Sequence, residues 1–127
     1  MLEKIQKAID AGEKRISGVE LNLACPNVIG KPIIAYDFDQ MDDVLKKVSA
    51  LPMFRTNNPL PLGVKMPPYF DGPHYDKAAS VLNKYKTIVK YVASINTIGN
   101  ALEISTVAEM PVIRAKGGFA GLSGETI

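Results

Sequence analysis

The sequence predicts an α/β fold in which short parallel strands alternate with helices, and three observations carry that expectation. Apolar residues switch repeatedly between helical spacing and brief extended runs, in the order helix, strand, helix, strand, helix, strand. The strand-to-helix connections are loop-rich, as they are where helical crossovers of right-handed sense join parallel strands. The polar residues in unusual places gather at the C-terminal ends of the extended runs, the edge where open α/β sheets and α/β barrels bind ligands.

In chain order, Leu2, Ile5, Ile9 and Gly12 fall at three- and four-residue intervals among charges, which predicts a short amphipathic helix ending near the glycine. VELNL, residues 19–23, reads as a strand bounded by Cys25 and Pro26. The following PNVIGKPIIAY holds two prolines and a glycine, so it reads as an exposed loop, and loops of this length commonly have a task. Asp39 is the expected N-cap of the second helix, whose apolar stripe is Met41, Val44, Leu45, Val48 and Leu51, with Asp42, Asp43, Lys46 and Lys47 facing water. PMFRTNNPLP is a connection, and LGVKM, residues 62–66, is a second strand stopped by Pro67 and Pro68. After the loop PPYFDGPH, the spacing of Ala78, Val81, Leu82 and Tyr85 predicts a third helix with Asp76, Lys77, Asn83 and Lys84 on its polar face. TIVKYVASIN, rich in β-branched residues, is the third strand. In the tail, EIS and PVIRA are expected to pair as a small hairpin, followed by the glycine-rich KGGFAGLSGE.

Charge and cysteine content remove several function classes. The formal charge is only +2 and the basic residues are scattered, so nothing tracks a phosphate backbone and no nucleic-acid partner is expected. No stretch reaches the roughly 18 apolar residues of a membrane span. The N-terminus is charged throughout and lacks the apolar segment of a secretion signal, so a cytosolic protein without a membrane partner is expected. One cysteine cannot form an internal disulfide or a thiolate metal cluster, and no metal site is expected. Cys25 is therefore either buried packing or a working thiol.

At the three strand ends stand Asn22 with Cys25, Lys65, and Asn96 with Thr97. Two readings stay open for Lys65: its ammonium snorkels to solvent, or it meets an anion or dipole. The asparagines are either turn formers or hydrogen-bonding groups for a flat ligand. Cys25 follows a strand on a loop rather than sitting in an apolar stripe, a setting that suits a general base. His74 is read as a surface or capping residue. The glycines of GGFAGLSG either bring backbone N–H groups to a phosphate or permit tight turns.

ELNLACPNVIGKPIIAYDF, LGVKMPPYFD, SINTIGNAL and KGGFAGLSG, in this order and spacing, resemble the soluble class 1A dihydroorotate dehydrogenases from about Gly18 to Gly124. The resemblance implies a (β/α)8 TIM-barrel fold, with flavin mononucleotide (FMN) bound at the C-terminal edge of the strands. It also implies oxidation of dihydroorotate to orotate in pyrimidine synthesis, fumarate as the second acceptor, and a cytosolic homodimer. It assigns Cys25 as the base that removes the C5 proton while a hydride leaves C6 for the flavin. Asn22, Asn27, Asn96 and Thr97 take the hydrogen bonds to the pyrimidine, with Asn22 also near the flavin. Lys65 matches the family lysine beside the isoalloxazine ring, where a fixed positive charge favours the anionic reduced flavin. Lys116 matches a lysine of the active-site surround, and Gly124 a glycine facing the phosphate.

The chain departs from the family pattern at Ala24, Ile29, Thr97, Ala101, Ala120 and Ser123, where the family has serine, proline, serine, glycine, glycine and glycine. Thr97 keeps the hydroxyl, whereas Ala24 removes one beside the thiol. The extra residues in SALPMFRTNNPLPLG are expected to lengthen a connection away from the site. A (β/α)8 barrel typically takes about 250 residues, so the 127 residues are expected to be a central portion, residues 1–127 as one incomplete domain with about three βα units, inactive alone. A second flavin-binding lysine, a further pyrimidine-binding asparagine and the strands that close on the phosphate have no counterpart in this sequence. Two other readings stand beside this one: a related flavin barrel acting on another dihydropyrimidine, and a non-catalytic α/β module that works by binding or assembly.

Overall fold

A computed structural model of the chain describes residues 1–25, 32–112 and 120–123. Its centre is a parallel sheet of three strands, β1 (Val19–Asn22), β2 (Leu62–Lys65) and β3 (Val89–Ala93), in the order β1-β2-β3. Val19 pairs with Leu62 and Asn22 with Lys65, while β3 is matched from Leu62 opposite Val89 to Lys65 opposite Ala93, with an irregularity after Leu62. Parallel pairing of consecutive strands is what the alternating sequence predicts, because each return needs a crossover.

Three helices accompany the sheet: α1 (Leu2–Asp10), α2 (Phe38–Ser49) and α3 (Gly72–Lys84). The apolar stripes of α2 and α3 meet one sheet face, where Met41, Leu45, Ala78 and Val81 bury against Val64. A second cluster gathers Val48, Met53 and Phe54 around Val19 and Leu62, and Leu2, Ile5 and Ile9 of α1 pack on its rim. Burying a side chain such as Leu45 contributes about 1.5–3 kcal/mol of transfer free energy. The polar surfaces are tied as well: the Lys84 ammonium and the Tyr85 hydroxyl both donate to the Asp42 carboxylate, at 2.9 and 2.8 Å, joining α3 to α2. That contact holds the Asp42 carboxyl below its ordinary range, the Lys84 hydrogen bond being the main cause.

Several boundaries differ from those predicted. The N-cap of α2 is Asp37, whose carboxylate accepts from the Gln40 N–H at 3.0 Å, and Asp39 lies inside the first turn. Either aspartate satisfies the capping chemistry, and the 3₁₀ turn Ile34–Tyr36 decides between them by delivering the chain extended at Asp37. The third helix starts earlier than its apolar spacing suggests, because Asp71 caps it through the His74 N–H and Pro73 fills a first-turn position that needs no donor. β3 ends at Ala93, so Asn96 and Thr97 lie beyond the strand. The hairpin predicted between EIS and PVIRA is met in part, as β5 (Ile104–Ser105) against β6 (Met110–Pro111), with residues 113–115 of PVIRA outside the described residues. A further antiparallel pair, β4 (Ile98–Ala101) with β7 (Ala120–Leu122), recruits part of the stretch read as a glycine-rich loop. Among the described residues no helix is long and apolar enough to cross a membrane.

Candidate active site

Because the three strands run parallel, their C-terminal ends share one edge, and the register places Asn22, Lys65 and Ala93 side by side there. Side chains alternate along a strand, so these three share the face opposite Leu21 and Val64. That face is open: Glu20 and Asn22 are exposed and Lys65 is half-buried. One step below the row, Tyr91 and Glu20 flank Gly63, and a β-carbon at residue 63 would collide with the Tyr91 ring. Burial, followed by the nearby Glu20 carboxylate, raises the Tyr91 phenol above its usual value.

Where β1 leaves the sheet, the backbone is fixed from several sides. The Leu23 N–H donates to the Lys65 carbonyl at 3.1 Å, continuing the ladder one residue past the strand. The Asn22 Oδ1 accepts from the Ala24 N–H at 3.1 Å, and the Asn96 Nδ2 donates to the Ala24 carbonyl at 3.0 Å. Asn96 is itself held by its own N–H on the Met66 carbonyl at 2.8 Å, while its Oδ1 accepts from the Thr97 N–H at 2.9 Å. Ala24, the residue before Cys25, is thus held at its N–H by Asn22 and at its carbonyl by Asn96, the two asparagines that the sequence singles out. Each carboxamide makes a local bond to the backbone, as a turn former does, and keeps further hydrogen-bonding capacity, since an amide carries two donors and two lone pairs.

Cys25 is half-buried and free, and belongs to neither core cluster. It lines a cleft of about 560 Å³ with Asn22, Leu23, Pro32, Ile34 and the α2 residues Gln40, Asp43 and Val44. Asn96 and Thr97 line a different cleft, of about 480 Å³, with Tyr75, Ser94, Leu122 and Ser123. The Asn96 to Ala24 hydrogen bond is what links the two. Lys65 lines neither and projects from the open face between them. Thr97 packs so tightly on Gly121 that a β-carbon at residue 121 would overlap its hydroxyl, so β7 is seated directly against the second cleft. Asn27, Lys116 and Gly124 lie outside the described residues.

Sequence reasoning overlooked two residues that organise this edge. The Tyr69 hydroxyl, buried, donates to the Ala35 carbonyl at 2.6 Å, and the Tyr36 hydroxyl donates to the Pro68 carbonyl at 2.9 Å. Burial, with Tyr36 adding to it, pushes the Tyr69 phenol up to about 12. Neither tyrosine falls on a periodic stripe, and the only available signal was an aromatic in each of the two proline-bearing loops. Beside them His74 stands half-exposed with its Nδ1 on the Asp71 carboxylate at 2.6 Å, in the first turn of α3, consistent with the capping role read for it. The pairing, chiefly through the His74 backbone N–H, lowers the Asp71 carboxyl from its ordinary value.

Comparison with known proteins points to one family. The family model described as Dihydroorotate dehydrogenase matches residues 2–127. The dihydroorotate dehydrogenase (fumarate) of Trypanosoma cruzi is 50% identical over 109 residues, covering 86% of this chain and 32% of that protein. Dihydroorotate dehydrogenase A (fumarate) of Lactococcus lactis is 48% identical over 128 residues, covering all of this chain and 37% of the relative. The Saccharomyces cerevisiae dihydroorotate dehydrogenase (fumarate) is 46% identical, covering all of this chain and 36% of its own length. The chain therefore spans about a third of the curated relatives it matches, and those relatives carry the fumarate designation of the class that the sequence motifs resemble. With a family match running from the second residue to the last, the chain belongs to the dihydroorotate dehydrogenase family.

Proposed function

We propose that this chain supplies the thiol-bearing part of the active site of a class 1A dihydroorotate dehydrogenase, an oxidoreductase that converts dihydroorotate to orotate with FMN as cofactor and fumarate as second acceptor. The observation that carries the reading is Ala24, next to Cys25, held by Asn22 at its N–H and by Asn96 at its carbonyl, at the edge where Lys65 stands in register with Asn22. The residues present suit a flavin: in-register positions on the open face offer a carboxamide and an ammonium as donors beside the small methyl of Ala93, and Asn22 there is exposed. Lys65 and Asn22 would hold it, with Gly124 toward its phosphate. Bound there, FMN would supply the acceptor for the hydride from C6.

The chain's own residues carry the rest. Cys25 Sγ, as thiolate, takes the C5 proton of dihydroorotate. Asn22, Asn27, Asn96 and Thr97 bind the pyrimidine through their amide and hydroxyl groups, and Lys116 adds positive charge around the site. The Lys65 ammonium offsets negative charge that develops across the open face during oxidation. β1 and β3 each pair only with β2 among the described residues, so two strand edges are available for further βα units. We take the sheet as a portion of a (β/α)8 barrel, residues 1–127 forming part of that one domain, in a cytosolic homodimer.

The test is Cys25→Ser in the full-length protein that carries this chain. FMN should remain bound while reduction of the flavin by dihydroorotate slows by about 10²–10⁴-fold, the usual contribution of a positioned general base. Reduction at the parent rate would overturn the assignment of Cys25.

A further inference from the structure

Tyr36 and Tyr69 form a reciprocal clasp. Each donates its hydroxyl to the carbonyl of the residue immediately before the other, Tyr69 to Ala35 and Tyr36 to Pro68. Their rings meet edge to face at 5.8 Å. The first tyrosine belongs to the segment that returns from the thiol connection toward α2, and the second to the segment that leaves β2 after Lys65. The clasp therefore joins the connection bearing the proposed base to the connection following the proposed cation.

From this geometry we propose that Tyr69, assisted by Tyr36, is a positioning residue for Cys25. The line of contact is short. Tyr69 fixes the Ala35 carbonyl, the Ala35 N–H donates to the Leu23 carbonyl at 3.1 Å, and the Leu23 N–H donates to Lys65 at 3.1 Å, two residues before the thiol. Ala35 has no exposed surface, so no solvent replaces the tyrosine if its hydroxyl is lost. Release of that carbonyl frees Ala35 on one side, so its N–H holds the Leu23 carbonyl less firmly, and the hold on Leu23 and Ala24 shifts toward Lys65, Asn22 and Asn96. The phenol lies at about 12, so Tyr69 donates unchanged across the pH range in which a thiol reacts, and the pH response of the site belongs to other groups.

The role in proton removal rests on the function proposed above, but its test needs neither flavin nor substrate. Cys25 is the sole cysteine of residues 1–127, so alkylation of the full-length protein by iodoacetamide, read by mass on the peptide that holds Cys25, reports this thiol alone. Tyr69→Phe should change the alkylation rate by about threefold or more and alter its pH profile, since thiol reactivity follows the local environment. Tyr36→Phe should act in the same direction with a smaller effect, because Tyr36 is 43% exposed and Tyr69 only 8%. Tyr85→Phe is the control: it removes a hydroxyl bonded to Asp42, far from the thiol in the hydrogen-bond network, and should leave rate and profile unchanged. A purely structural role would lower stability in Tyr69→Phe and in Tyr85→Phe while moving alkylation in neither, and that result overturns the proposal. If Tyr69→Phe fails to fold, an unchanged rate and profile in Tyr36→Phe would overturn it equally. These outcomes are independent of flavin reduction in Cys25→Ser, so the clasp and the catalytic assignment can fail separately.

Discussion

On one face of the sheet Leu62 and Val64 are completely buried beneath helices and the second apolar cluster, whereas on the other Glu20, Asn22 and Tyr91 remain exposed along the same strands. The alternation of a strand makes this possible: adjacent residues serve opposite faces, so one short strand can hold the fold together and present chemistry at once. The packed face is apolar and dense, and every change there is felt in stability. The open face carries a carboxylate, a carboxamide, an ammonium and a phenol, and changes there should register in ligand binding and side-chain ionisation first. Position along the sequence says little about which effect a substitution has; parity within the strand says most.

Three substitutions would sharpen or break that contrast. The largest effect is expected from Leu45→Ala on α2, which empties a fully buried site in the main cluster and should cost about 2–5 kcal/mol in chemical denaturation. A loss below 1 kcal/mol would mean that the face is not packed as described. A smaller loss is expected from Asp71→Asn, which weakens the cap of α3 and removes the carboxylate from His74. Its sign with pH is fixed by the direction of the shift. The Asp71 carboxyl titrates lower in the folded chain than its ordinary 3.8, so its contribution is present above that value and fades as the pH falls through the lower, folded-state one. Parent and variant should accordingly converge in thermal midpoint under acid and separate at neutral pH. The smallest effect on stability belongs to Gly63→Ala on the open face. The new methyl meets only the tip of the Tyr91 ring, which can swing toward solvent, so the cost should stay below about 1 kcal/mol. What should change is ionisation: Tyr91, freed from partial burial and from Glu20, should titrate closer to an ordinary phenol in a spectrophotometric titration.

The parts of this arrangement that were legible in the sequence are those that local periodicity encodes. The stripe of Met41, Val44, Leu45 and Val48 specified a helix and the face it buries, and the β-branched run through Val89 and Val92 specified a strand. The shared edge of Asn22 and Lys65 was likewise visible, because alternating helices and strands force parallel pairing and hence common C-terminal ends, whereas Asn96 lies past the end of β3. What escaped were features settled by contacts between distant residues. Asp37 rather than Asp39 caps α2, since the preceding 3₁₀ turn sets where the extended residue falls. β4 and β7 pair across about twenty residues, and the glycines around β7 made that segment read as a loop. The tyrosine hydroxyls reach carbonyls more than thirty residues away, and no spacing rule records such a bond. Even the separation of Cys25 and Asn96 into two clefts, joined by one hydrogen bond, depends on a side-chain rotamer that a sequence does not print.

The stretch between α2 and β2 bears on how this scaffold could be altered. Its first turn, Pro52–Phe54, is anchored by Met53 and Phe54 in the second cluster, after which Arg55, Thr56, Asn57 and Asn58 are exposed before the chain enters β2 at Leu62. That entry is at the foot of the sheet, where the Val19 N–H meets the Pro61 carbonyl, the full length of the strand from Lys65. An affinity tag or reporter peptide spliced between Thr56 and Asn58 would therefore be displayed at the pole remote from the thiol, with Met53, Phe54 and Leu62 lying between whatever is attached and the strand ends that carry Asn22 and Lys65.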